Sequence, residues 1–251
     1  MKILILGNSQ AGSLKKAYDA HKSIIGDVGK IYFYVLPGGT GPYLKAVDDR
    51  FVQTVPNSTN PPYAEPAETP EMPISGFDAI VISALGYVDG GKHYDSLMQK
   101  RAVLPEFGPI GAFQEEEFVS DHCYQQLFMN AWRTGHQGFI LAASLKNNFD
   151  GPVFVQPFPH ISSAIQEQED WELRKLYKNY RKAHAFFTDT KESSLRSFEK
   201  EFGFTLLDYP AQTKDGAGFT DAKFMTGDFV HTTPEYGALV LDQIATAVSE
   251  L

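Results

Sequence analysis

The chain has 251 residues and a formal net charge of −9, without the cluster of Lys and Arg that would mark a nucleic-acid binder. Its one cysteine, Cys123, excludes an intramolecular disulfide and any multi-cysteine metal site. An apolar content of 43%, with 19 Phe and 12 Tyr, is enough for a large core in a single domain over residues 1–251.

The chain opens with a strand. Ile3 to Leu6 are apolar without alternation, as in a strand buried on both faces of a parallel sheet. The run is too short for the apolar core of a signal peptide, and no stretch approaches a membrane span. A soluble, cytoplasmic protein is expected, with no membrane partner. The run stops at Gly7, and Ser9 stands at the start of a helix whose apolar face is Ala11, Leu14, Ala17 and Tyr18. A strand-to-helix turn of this kind is where open α/β sheets bind ligands. It can also present a serine hydroxyl beside helix N-terminal amides. The alternative for Ser9 is a helix N-cap, a role serine favours.

Lys30 to Leu36 reads as the second strand and ends in Pro37-Gly38-Gly39-Thr40-Gly41-Pro42, where the glycines allow close backbone approach. A short helix over Tyr43 to Val47 and an edge strand over Phe51 to Val55 are predicted next. Residues 56–73, crowded with proline, read as a surface excursion without periodicity. Asp78 to Gly86 is the third strand. It breaks into Tyr87-Val88-Asp89-Gly90-Gly91-Lys92-His93.

Helices are predicted over Asp121 to Arg133 and Phe139 to Leu145, with Cys123 as a small core residue of the first. Pro152 to Gln156 is the fourth strand, followed by Pro157-Phe158-Pro159-His160, which puts His160 at a strand end. Two further helices are expected over Glu167 to Phe187 and Ser193 to Phe202, then a fifth strand over Thr205 to Tyr209. The last helix begins near Pro234. Thr232 and Glu235 have capping-box spacing, and Tyr236, Val240, Ile244, Ala247, Val248 and Leu251 share one face. Strands alternating with helices give a parallel sheet covered on both sides, with every strand end on one edge.

Just before that helix stand Asp228 and His231, three residues apart. A serine hydroxyl is a poor nucleophile until a base takes its proton. The base works better when a carboxylate fixes its tautomer. Alone, Asp228 and His231 read as a solvated turn; with Gly7-Asn8-Ser9 at a strand end they suggest a catalytic trio.

Gly7-Asn8-Ser9 after the first strand, a glycine turn after the second, Gly86 after the third and Asp228-Phe229-Val230-His231 before the last helix together resemble the SGNH (GDSL-like) hydrolase superfamily over nearly the whole chain. The resemblance implies a flavodoxin-like three-layer α/β/α sandwich with a central parallel sheet of about five strands. It also implies hydrolysis of small acyl esters, often acetyl groups on carbohydrates, with no cofactor. Ser9 matches the nucleophile, His231 the base and Asp228 its orienting carboxylate. The Ser9 amide and Gly39, or Gly41, match the backbone donors of the oxyanion hole.

Two departures stand out. Asn8 replaces the aspartate that usually precedes the serine, and Val88 stands where the pattern Gly-x-Asn-Asp has its oxyanion-hole asparagine. Losing one such donor typically costs roughly 3 to 4 kcal/mol of transition-state stabilisation. Gln10 and His93 are candidates to replace it. Asn8, Gln10, Gly86, Tyr87, Asp89, His93 and His160 are the candidate substrate-binding residues. Gly7-Asn8-Ser9-Gln10 is also similar to the Gly-Asn-Cys-Gln opening of capsular-polysaccharide acetyltransferases, which leaves acetyl-CoA-dependent transfer as an alternative. A catalytically silent binding protein of the same fold is the third reading.

Overall fold

The computed structural model describes residues 1–21, 28–35, 44–53, 63–65, 73–85, 120–135, 137–164, 181–227 and 231–251. Five parallel strands form the centre: β1 (Lys2–Gly7), β2 (Lys30–Val35), β6 (Ala79–Leu85), β7 (Val153–Pro157) and β8 (Thr205–Leu206). Between β2 and β6 come β3 (Leu44–Val47), β4 (Arg50–Gln53) and β5 (Tyr63–Glu65). The sheet runs β5-β2-β1-β6-β7-β8, with β5 antiparallel at the edge. Counted among themselves, the parallel strands follow the flavodoxin-like order 2-1-3-4-5. The order reverses between β1 and β6, so the ligand crevice of such a sheet opens at their carboxyl ends.

Strand composition explains the layers. Ile3, Ile5, Ala79, Val81 and Phe154 point to one face and pack with α1 (Ser9–Ala20) and the last helix, α5 (Pro234–Ser249). Leu4, Leu6, Ile80, Ile82, Val153 and Val155 point to the other. There they meet α2 (Asp121–Gly135), α3 (Gln137–Leu145) and α4 (Arg181–Phe202). Both faces are covered, so alternate residues are equally apolar and the strands read as unbroken apolar runs. Trp132, Phe139 and Phe198 form the aromatic centre of the second layer, with Phe139 and Phe198 ring centroids 4.5 Å apart.

Several sequence expectations need correction. Residues 44–47 are a strand rather than a helix, because Leu44 and Ala46 point inward while Lys45 and Val47 point out. Asp48 and Asp49, with φ of 44° and 65°, make the two-residue turn into β4, and both residues at positive φ suit a tight hairpin. The edge strand expected at Phe51 to Val55 is therefore the second arm of a separate hairpin. It packs on α3, where the Ser144 hydroxyl accepts from the Ala46 amide. Within 56–73, residues 63–65 extend the main sheet.

The helix expected to start at Ser193 is continuous back to Arg181, through the Thr188-Asp189-Thr190 stretch whose intrinsic propensity is weak. Of its predicted predecessor over Glu167 to Phe187, residues 167–180 lie outside the described residues, and residues 181–187 are part of this same helix. Cys123 is exposed, a free thiol on the outer side of α2. The N-cap position of α5 is Thr233, whose side chain makes no capping bond, rather than Thr232, and Leu251 is exposed. Among the described residues no helix is long and apolar enough to cross a membrane, and no group of three His, Cys, Asp or Glu side chains could hold a metal ion.

Candidate functional site

Gly7 ends β1, and a Cβ there would lie 2.9 Å from the Ala11 Cβ and 3.1 Å from the Ser83 Cβ. Glycine therefore lets the first turn of α1 sit directly against β6. The N-cap of α1 is Asn8, whose Oδ1 accepts from the Gln10 amide at 3.4 Å. Ser9 is the first helical residue and is exposed at the carboxyl end of β1. The capping alternative for Ser9 thus falls to its neighbour.

The C-terminal stretch comes to the same place. The Thr232 hydroxyl donates to Gln10 Oε1 at 2.6 Å, and the Ser13 hydroxyl lies 2.9 Å from Thr232 Oγ1. All three side chains are buried. The backbone is anchored on the other side, where Thr226 N–H donates to the His231 carbonyl at 2.9 Å and Thr233 N–H to Phe224 O at 2.8 Å. The residue after Ser9 is thus bonded to the residue after His231, and the His231 side chain is exposed. Asp228 lies outside the described residues, as do Gly39, Gly41, Gly86, Tyr87, Val88, Asp89 and His93. Thr232→Val removes the buried hydrogen bond to Gln10 Oε1 and the hydroxyl contact with Ser13. It should cost about 1–3 kcal/mol in urea denaturation; a variant as stable as the parent would show that these bonds do not hold α1 to α5.

Behind the same sheet edge His160 is buried and stacked on Tyr209, with ring centroids 4.0 Å apart. Its Nε2 lies 3.3 Å from Glu192, which is 3.6 Å from Lys214. Lys191, also buried, donates to the Phe158 carbonyl at 3.0 Å. Burial holds the His160 imidazolium down to about 3 and the Lys191 ammonium down to about 7. His160 is therefore neutral at pH 7 and its contact with Glu192 is not an ion pair. The Glu192 carboxyl is itself lowered, first by that contact with His160.

The sign of the linkage follows from these shifts. Between the ordinary 6.5 and about 3 the unfolded chain binds a proton at His160 that the folded chain refuses. Stability should fall as pH drops through that window, by on the order of 2–4 kcal/mol. Lys191 adds a second rise in stability between about 7 and 10.5. His160→Phe should flatten the acid limb of midpoint against pH; an unchanged limb would refute this assignment.

Sequence reasoning does not single out Gln156 or Ser83, and it gives Thr232 only a capping role. Gln156 Oε1 accepts from the Ser83 hydroxyl at 2.8 Å and the Ala84 amide at 3.1 Å, and its Nε2 donates to Pro157 O at 2.8 Å. Each of these polar residues sits in or beside an apolar run destined for the core. A buried polar group must find partners. A lone glutamine ending Val153-Phe154-Val155 was the available signal.

No family model matches the chain, and no curated protein matches its sequence. Among solved structures it is similar to a Bacteroides fragilis protein assigned as an acylhydrolase, at 11% identity over 99% of this chain and 86% of that one, with a TM-score of 0.46. It is similar also to a Parabacteroides merdae protein assigned as a GDSL-like lipase, at 13% identity over 98% and 95% of the two chains and a TM-score of 0.46. An extracellular lipase from Streptomyces rimosus is 12% identical over 98% and 99%, with a TM-score of 0.43. At such identities no residue role passes from those proteins to this chain.

Proposed function

We propose that the chain is a serine ester hydrolase of the SGNH type. Ser9 attacks the acyl carbon, His231 takes the hydroxyl proton and returns it to the departing alcohol, and Asp228 holds the imidazole in the working tautomer. One observation carries the reading: Gln10 and Thr232, the residues directly after Ser9 and His231, share a buried 2.6 Å hydrogen bond. It ties the first helix to the approach to the last at the carboxyl edge of the sheet, next to the point where strand order reverses. An exposed hydroxyl and an exposed imidazole brought to one rim are what acyl transfer to water requires.

The Ser9 amide, in the first turn of a 12-residue helix, is one oxyanion donor, and Gly39 is the second. With Val88 in the third position, the hole relies on backbone donors. The acyl group is small, acetyl on a carbohydrate, as the motif resemblance implies. A fluorophosphonate probe tests the reading directly. An adduct on the peptide containing Ser9 supports it, whereas a wild-type protein that takes up no label overturns it. A panel of acetylated sugars against longer acyl esters then tests the substrate class.

A further inference from the structure

The layer of side chains just beneath Ser9 is polar where the rest of that sheet face is apolar. Along β6 the residues facing α1 and α5 run Ala79, Val81, Ser83, and along β7 they run Phe154, Gln156. Gly7, Ser83 and Gln156 lie side by side across β1, β6 and β7, and Ser83 and Gln156 are buried. At the next residue, Ala84, the chain turns left-handed with φ of 59°, and the β6–β7 register shifts between Ser83 and Leu85. Glycine adopts that conformation freely. An alanine does so only when its surroundings over-determine it.

The surroundings here are the Gln156 amide. Its Oε1 accepts from Ser83 and from the Ala84 N–H. Its Nε2 is committed to Pro157 O, so the orientation of the amide is set by its partners. The Tyr236 hydroxyl, from the first turn of α5, interacts with the same amide, which partly offsets the upward push of burial on its pKa. One side chain therefore touches the exit of β6 and the helix that follows His231, in the row that also holds Gly7.

We propose that Gln156 is a positioning residue: by holding Ala84 left-handed it sets the direction in which the chain leaves β6 beside Ser9. This rests on the esterase reading for its kinetic consequence, though not for its structural one. Gln156 itself touches no substrate. Its loss misaligns the rim without removing a reacting or binding group, so the deficit belongs in kcat rather than KM.

The experiment compares wild type, Gln156→Met, Ala84→Gly and the double variant for p-nitrophenyl acetate turnover and thermal unfolding. Methionine keeps length and volume while removing the amide. Expected is a fall in kcat of about 100-fold with KM within about 3-fold, as a misplacement of about 1 Å can produce. Ala84→Gly, which needs no help to turn left-handed, should recover about 10-fold of that loss in the Met background. A kcat within 3-fold of wild type, a proportional rise in KM, or a loss that glycine does not relieve overturns the proposal.

If Gln156→Met does not fold, Ser83→Ala removes one arm of the network and should lower kcat about 5-fold at unchanged KM; no change overturns the proposal equally. If the wild type neither turns over the ester nor takes fluorophosphonate, the esterase reading fails by itself. The unfolding cycle then decides the rest. Non-additive midpoints for the two substitutions support Gln156 holding Ala84, and additive midpoints refute it.

Discussion

Ser9→Ala should abolish p-nitrophenyl acetate turnover, lowering kcat by at least about 10⁴-fold, because nucleophile and base act as a unit and the residue left behind cannot form an acyl-enzyme. The fold should not notice. Ser9 is exposed and the capping oxygen belongs to Asn8, so stability should stay within about 0.5 kcal/mol of the parent. That separation gives the prediction its force. Turnover retained by the alanine variant would remove Ser9 from the mechanism. Turnover lost together with several kcal/mol of stability would show a structural role instead. On the proposed mechanism the parent rate should itself be modest, since Val88 in place of the pattern's asparagine would leave the oxyanion hole a side-chain donor short, a deficit of roughly 3 to 4 kcal/mol.

Gly237→Val carries the second large effect, and it acts through the scaffold. A Cβ on Gly237 would lie 2.7 Å from the Ser13 carbonyl oxygen, 3.0 Å from its carbon and 3.2 Å from the Ala17 Cβ. Two of those atoms are backbone of α1, which cannot swing aside as a flexible side chain would. Helix propensity alone favours valine over glycine by a few tenths of a kcal/mol. Overpacking against a rigid helix costs about 1–3 kcal/mol and wins.

Expected is a loss of about 3 kcal/mol in urea denaturation. The variant that still folds should lose turnover about 10- to 100-fold, because α1 and α5 must part where Gln10 meets Thr232. Increased stability would mean that propensity decides and the two helices are not tightly seated. Unchanged turnover in a destabilised variant would uncouple the helix contact from the site.

How much of this was readable in advance depends on whether a feature is local. The first and third strands announced themselves through unbroken apolar runs, because a sheet covered on both faces asks the same of every residue. The last helix was equally plain from Pro234 and its apolar face. The hairpin of β3 and β4 reads from sequence as a helix and an edge strand. Four-residue segments carry too little periodicity to separate the two, and the deciding Asp48-Asp49 turn lacks the glycine that usually marks it. Cys123 was misplaced because a helix shows which residues share a face, but not whether that face has a neighbour.

Motif order names Ser9 and His231 as candidates, whereas the Gln156 network and the Thr232–Gln10 bond are not legible in it. A glutamine or threonine in an apolar stretch declares only that some partner exists.

From order and chemistry alone the chain determined its alternation of strand and helix, its apolar faces, and the hydroxyl and imidazole near its two ends. Only the folded sheet decided that residues 222 positions apart share a hydrogen bond, that Asn8 rather than Ser9 caps the helix, and that an alanine is held left-handed by a glutamine one strand away. Backbone conformation over a few residues is governed by neighbours along the chain. A buried polar contact between distant segments is set by which helices the sheet brings face to face.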